Sequence, residues 1–104
     1  MLNLAVLTIL LLTTVAEAQP LPGDTSSGRN LALRICADCH LVAEDQPRPT
    51  TDGAPPFALV ARQPSTTALG LRVFLRSPHS NMPNLILSPG ETDDLISYIL
   101  SMRP

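Results

Sequence analysis

The sequence predicts a small all-α fold of about three to five helices joined by long loops. Three observations indicate this class. Apolar residues recur at helical spacing in several segments, and no segment alternates apolar and polar residues as a β-strand does. Residues 44–56 and 77–90 contain four and three prolines, so neither stretch is regular structure. The helices therefore lie before, between and after these two loops.

An uncharged apolar segment, residues 2–15, lies near the N-terminus. It is shorter than the roughly 20 apolar residues that a membrane-spanning helix needs. Ala16 and Ala18 place small residues where a signal peptidase requires them. We therefore expect residues 1–18 to be a signal peptide and residues 19–104 to form one exported domain. No Lys or Arg precedes the apolar segment, so cleavage after Ala18 and a start further upstream both stay open.

The first predicted helix begins after Asp24 or Ser26, either of which is a good N-terminal cap. It continues to Cys39, with Leu31 and Ile35 one turn apart on its apolar face. Both cysteines of the chain thus fall late in this helix.

Three more helices are predicted in the second half of the chain. A short one spans residues 56–62, with Pro56 at its first position, and the next begins after a Ser65 cap. The last is the most clearly marked, because Ser88 and Glu91 form a capping box. The apolar faces of the last two helices consist of Leu71, Phe74 and Leu75 and of Leu95, Ile96, Ile99, Leu100 and Met102.

Size and charge narrow the possible functions. Residues 19–104 are 86 residues (104 − 18) with seven Arg and eight acidic residues (nine minus Glu17), a formal net charge of −1. This balance provides no basic face for a nucleic acid, so no such partner is expected. A domain this small, with three aromatic residues, often depends on a metal or cofactor for stability. A disulfide would help little, since the two cysteines would close a very short loop.

The segment CADCH contains both cysteines, Cys36 and Cys39, followed directly by His40. The pattern C-x-x-C-H is typical of covalent attachment of a c-type haem. Cysteines with this spacing lie on one helix face, so both thiols can bond the two vinyl groups at one porphyrin edge. His40 can then bind the iron from one side of the ring. We therefore predict one haem c, bound through two thioethers.

Three other interpretations of this segment fit the sequence less well. A thiol–disulfide oxidoreductase also uses C-x-x-C, but its reactive thiol lies at a helix N-terminus, and no thioredoxin-like sheet is predicted here. A zinc site from Cys36, Cys39, His40 and His79 has suitable ligand types, but adjacent Cys39 and His40 do not match structural zinc spacing. Two buried cysteines without a binding role are the third interpretation.

The whole pattern resembles the class I cytochromes c, small haem proteins that transfer electrons in the periplasm and in mitochondria. The resemblance covers residues 24–103 and rests on four segments in order: GRNLALRICADCH, APPF, SPHSNMPNL and LSPGETDDLISYILSM. It implies that the first and last helices cross, with Gly28 against Tyr98. It also implies a proline carbonyl facing the ligand histidine, and the sequence does not choose between Pro55 and Pro56.

The resemblance further implies a methionine as the second iron ligand, in a loop and often followed by proline. Met82, followed by Pro83, matches this pattern, so His40 and Met82 form the predicted ligand pair. A thioether favours ferrous iron and raises the potential, which suits an electron carrier. His79 is the competing candidate, since histidine also binds low-spin haem iron, and an open sixth site is the remaining alternative.

We expect a periplasmic, monomeric electron carrier that is not an enzyme and binds no membrane after signal cleavage. Its partners would be dehydrogenases, oxidases or reductases met transiently. All seven positive residues are Arg, which departs from mitochondrial members that dock through lysines, so the partner stays open. One alternative is a haem-based sensor with an open or displaceable sixth site, which would bind carbon monoxide. Another is a dedicated electron-transfer subunit of a dehydrogenase or oxidase complex, which would copurify with its partner.

Overall fold

The computed structural model describes residues 20–51, 53–78 and 81–104. Its helices are α1 (Thr25–Ile35), α2 (Phe57–Arg62), α3 (Ala68–Arg76) and α4 (Pro89–Ser101). These residues contain four helices and no strand, so the predicted all-α fold with long loops is confirmed.

The predicted signal peptide, residues 1–18, lies outside the described residues and stays a prediction. In the part of the chain that the structure describes, no helix has the length and hydropathy needed to span a bilayer.

The caps of α1 and α3 are side chains that accept hydrogen bonds from the first helical turn. Asp24, one of the two predicted caps of α1, accepts a bond of 2.8 Å from the Ser27 N–H. The cap of α3 is Thr67, whose hydroxyl accepts a bond of 2.9 Å from the Gly70 N–H. The predicted start after Ser65 was therefore two residues too early, because the hydroxyl that meets the free N–H groups belongs to Thr67.

Helix α1 ends at Ile35, one turn before the predicted end at Cys39. The Cys36 and Ala37 N–H groups both donate to the Ala32 carbonyl, at 2.9 and 3.1 Å. The bond from Ala37 spans five residues and interrupts the regular i to i−4 pattern. The cysteine segment therefore follows the helix as a separate turn.

Helix α4 forms the centre of the fold and packs against each of the other three helices, most extensively against α1. The Ser88 hydroxyl accepts a bond of 3.1 Å from the Glu91 N–H, and the Glu91 carboxylate accepts one of 2.9 Å from the Ser88 N–H. The predicted capping box is therefore confirmed. The buried apolar core consists of Leu31, Ala32, Cys36, Val42, Phe57, Ala61, Leu71, Leu75, Leu95, Ile96, Tyr98, Ile99 and Leu100.

Two residues of the predicted apolar faces remain exposed. Phe74 is 49% exposed, because α3 buries Leu71 and Leu75, four residues apart, rather than the full predicted face. Ile35, the last residue of α1, is 43% exposed. The helical periods were correct, but the contact with α4 uses a narrower stripe than the sequence pattern indicated.

Helices α1 and α4 cross at Gly28. A Cβ atom added at Gly28 would overlap the Asp94 carbonyl oxygen and lie 2.8 Å from the Cβ of Tyr98. The predicted contact of Gly28 with Tyr98 is therefore confirmed. Glycine is required because any side chain would force the two helix backbones apart.

We expect Gly28→Ala to lower the free energy of unfolding by roughly 3 kcal/mol, at the upper end of overpacking costs. The added methyl group would meet backbone atoms, which cannot turn aside as a side chain can. Gly90→Ala is the matched control, since no atom lies within 4 Å of its added Cβ and alanine favours helix. Urea unfolding of the two holoproteins measures the difference, and equal stabilities would contradict the close crossing.

Candidate functional site

The CADCH segment forms a hydrogen-bonded turn directly after α1. Cys36 is the C-terminal cap of the helix, and its carbonyl accepts bonds from the Cys39 and His40 N–H groups, at 3.1 and 2.8 Å. Cys36 is buried, and Cys39 and His40 are partly buried. The three predicted site residues of this segment thus lie on one turn, which is stabilised by backbone hydrogen bonds between these same residues.

No disulfide joins Cys36 and Cys39. Burial, with a smaller contribution from Cys39, raises the pKa of the Cys36 thiol to about 11. A thiol with that pKa is protonated at neutral pH, whereas a thiol–disulfide oxidoreductase needs a reactive thiolate. The cysteines also follow the C-terminal end of α1, where the helix dipole disfavours a negative charge. These observations argue against a redox-active thiol pair.

The imidazole of His40 is oriented by Pro55. Its Nδ1 lies 2.7 Å from the Pro55 carbonyl oxygen. A carbonyl only accepts hydrogen bonds, so Nδ1 carries the proton and donates, and the lone pair of Nε2 remains for a metal. Of the two prolines that the sequence left open, the structure therefore selects Pro55. Pro56 is the cap residue of α2, one position before the first helical position predicted for it.

Phe57 contacts His40 and the residue that follows it. The ring centroids of His40 and Phe57 lie 5.4 Å apart with an interplanar angle of 56°, which is common for aromatic pairs. The Phe57 N–H also donates a bond of 2.9 Å to the Leu41 carbonyl. The segment APPF therefore supplies a carbonyl, a ring and a backbone donor around His40, of which only the carbonyl was expected.

Two contacts around His40 were missed by sequence reasoning. The Tyr98 hydroxyl donates a bond of 2.5 Å to the Val42 carbonyl and so ties α4 to the residues after His40. Burial raises the pKa of this hydroxyl, which therefore stays protonated and able to donate at neutral pH. The side chain of Gln46 bonds backbone groups on both sides of His40. No pattern in the proline-rich loop marks Gln46.

Met82 lies in the loop between α3 and α4. It is partly buried, packs against the core and lines a surface groove together with Pro83 and the end of α3. Asn81 before it has φ 66°, a left-handed conformation that Asn adopts more readily than most residues. His79 lies outside the described residues, so the structure does not test its competition with Met82. Ligation by Met82 stays a prediction.

Within the described ranges, no group of three or more His, Cys, Asp or Glu side chains is arranged to hold a metal ion. The donors on the CADCH turn suit a haem instead. Cys36 and Cys39, which no disulfide joins, supply two sulfur atoms at the attachment spacing, and His40 supplies one imidazole nitrogen, with its tautomer set by Pro55. The residues present therefore fit a covalently bound haem.

The chain is 39% identical over 103 residues to cytochrome c-552 of Bradyrhizobium diazoefficiens, and the alignment covers 99% of this chain and 98% of that protein. No protein-family model matches the chain, and neither does any solved structure. Because the identity of 39% extends over nearly the full length of both proteins, the chain belongs to the monohaem class I cytochromes c.

This membership implies covalently bound haem c as the cofactor and electron transfer as the function. The predicted family and the predicted cofactor are thereby confirmed. The four helices had already confirmed the predicted fold. The protein is a c-type cytochrome, and its family supports the role of an electron carrier.

Proposed function

We propose that this protein is an exported carrier of single electrons, with haem attached through Cys36 and Cys39 and ligated by His40 and Met82. The contact of 2.7 Å between His40 Nδ1 and the Pro55 carbonyl oxygen carries this proposal. It leaves Nε2 as the ring nitrogen able to bind iron, and the hydrogen bond to Nδ1 raises the basicity of that ligand.

The four proposed site residues have different roles toward the haem. Haem c, when bound, supplies a one-electron couple between ferric and ferrous iron. Cys36 and Cys39 hold the group covalently, so an exported protein keeps it. His40 would be one iron ligand, with its ring oriented by Pro55. Met82 would be the second, and its thioether would favour the ferrous state and raise the potential.

Export is supported by the N-terminal sequence. The uncharged apolar segment, residues 2–15, ends just before Ala16 and Ala18, which fit a signal-peptidase site. The alignment with the Bradyrhizobium protein covers 99% of this chain and so extends over this segment. Cleavage after Ala18 would release residues 19–104 into the periplasm.

We further propose weak, transient association of a monomer with larger redox proteins. Helices α2 and α3 contain Arg62, Arg72 and Arg76. Arg72 forms an ion pair with Asp93 at 2.5 Å, whereas Arg62 and Arg76 are exposed. With a formal net charge of −1 on residues 19–104, long-range attraction to a partner is modest. Gel filtration at low salt should show a monomer, whereas elution with a dehydrogenase or oxidase would favour the dedicated-subunit alternative.

Mass spectrometry of the secreted protein tests attachment and export together. Expressed in a bacterial host with haem-ligation machinery, the protein should have the mass of residues 19–104 plus one haem. Acidified organic solvent should leave the haem on the peptide that contains Cys36 and Cys39, because thioether bonds survive it.

The control is the same gene without codons 2–18, which keeps the chain in the cytoplasm. It should yield Met1 followed by residues 19–104, without haem. Haem that the solvent removes from the secreted protein would exclude thioether attachment. A secreted mass that includes residues 1–18 would exclude cleavage after Ala18.

A further inference from the structure

The side-chain amide of Gln46 makes four hydrogen bonds to the backbone of the segment from Ala37 to Ala43. Its Oε1 accepts from the N–H groups of Val42 and Ala43, at 2.6 and 2.9 Å. Its Nε2 donates to the carbonyls of His40 and Ala37, at 3.0 and 3.2 Å. Because backbone N–H groups only donate and carbonyls only accept, these partners determine which end of the amide is oxygen. Every hydrogen-bonding position of the amide is used.

These bonds replace those that regular secondary structure would provide. Helix α1 ends at Ile35, and the residues that follow form turns and loops, so their polar backbone groups need other partners. Gln46 supplies partners on both sides of His40. Thr50 supplies another nearby, since its N–H and its hydroxyl each donate a bond of 2.9 Å to the Asp38 carbonyl.

We propose that Gln46 is a positioning residue, which holds the backbone of His40 and thereby the orientation of its imidazole as an iron ligand. This inference rests on the proposed ligation by His40. The bond to Pro55 restrains only Nδ1, and the direction of Nε2 also depends on where the His40 backbone lies. The bond from Gln46 to the His40 carbonyl restrains that backbone directly.

The two halves of the amide can be separated by substitution. Gln46→Glu keeps oxygens that accept from Val42 and Ala43 but loses both donors to the carbonyls of Ala37 and His40. Gln46→Ala loses all four bonds. Gln63→Glu is the matched control, because it makes the same chemical change at an exposed glutamine that caps the C-terminal end of α2.

Two measurements on the holoproteins test the proposal. The first is the hyperfine shift of the His40 ring protons in the ferric state, which reports the orientation of the ligand ring. The second is hydrogen exchange of the Val42 and Ala43 amides, expressed relative to amides of α4. We expect Gln46→Glu to change the ring shifts and retain the amide protection. Gln46→Ala should change the shifts and lower the protection at least about fivefold, and Gln63→Glu should change neither.

Unchanged His40 shifts in Gln46→Glu would overturn the proposal, as would loss of protection at Val42 and Ala43 in Gln46→Ala without any change in the shifts. The latter result would mean that Gln46 contributes to stability alone. Gln46→Glu is the decisive variant, because it keeps two of the four bonds even where Gln46→Ala does not fold. Absence of hyperfine shifts from the His40 ring of the unmodified protein would instead overturn the proposed ligation, and this inference with it.

Discussion

Replacement of both Cys36 and Cys39 by serine should yield a chain without haem and without a cooperative fold. The domain is small, and its core forms where the other three helices pack against α4. Such domains often fold only with the group they bind. Several large apolar side chains also lie outside the protein's own core, among them Leu59, Leu69, Val73, Phe74 and Ile86. Far-ultraviolet circular dichroism should therefore show low helicity and no cooperative thermal transition.

A second double variant separates loss of haem from damage to the core. Cys36 is only 6% exposed, so serine at this position introduces a hydroxyl into apolar surroundings. Cys36→Ala with Cys39→Ala removes the same two thiols without burying a polar group. We expect it to be as unstructured as the serine variant. A helical, cooperatively melting alanine variant would show that the chain folds without its cofactor.

Met82→Ala should abolish the far-red sulfur-to-iron band of the ferric protein and lower the reduction potential. The thioether is a weak donor that favours ferrous iron, so its loss stabilises the ferric state. We expect a decrease of at least about 0.1 V, a modest part of the roughly 0.8 V range that axial ligands provide. Optical spectroscopy and redox titration measure the two effects.

Met102→Ala is the matched control for this experiment. Met102 is also partly buried, but it is the C-terminal cap of α4. Its replacement should leave both the band and the potential unchanged. His79→Ala should also leave them unchanged, and a change of coordination in that variant would assign the iron to His79 instead. Absence of the far-red band from the unmodified protein would also exclude Met82 as the iron ligand.

Some of the site and fold could be predicted from the sequence because the features are local. The CADCH segment places two thiols and an imidazole within five residues, so its chemistry depends little on the rest of the chain. The capping box of α4 likewise joins Ser88 and Glu91, three residues apart. Gly28 and Tyr98 are distant in sequence, and their contact was predicted only from the resemblance to class I cytochromes c.

The sequence by itself therefore determined the helical class, the cofactor and the residues proposed to hold it. Only the tertiary structure decided how His40 is held. Pro55 and Pro56 are adjacent and identical in type, and the carbonyl that meets Nδ1 depends on the path of a loop that returns 15 residues later. The bond from Tyr98 to Val42 joins residues 56 positions apart. Gln46 finds its partners because α1 ends before the cysteines, which leaves backbone groups that local sequence preferences do not reveal.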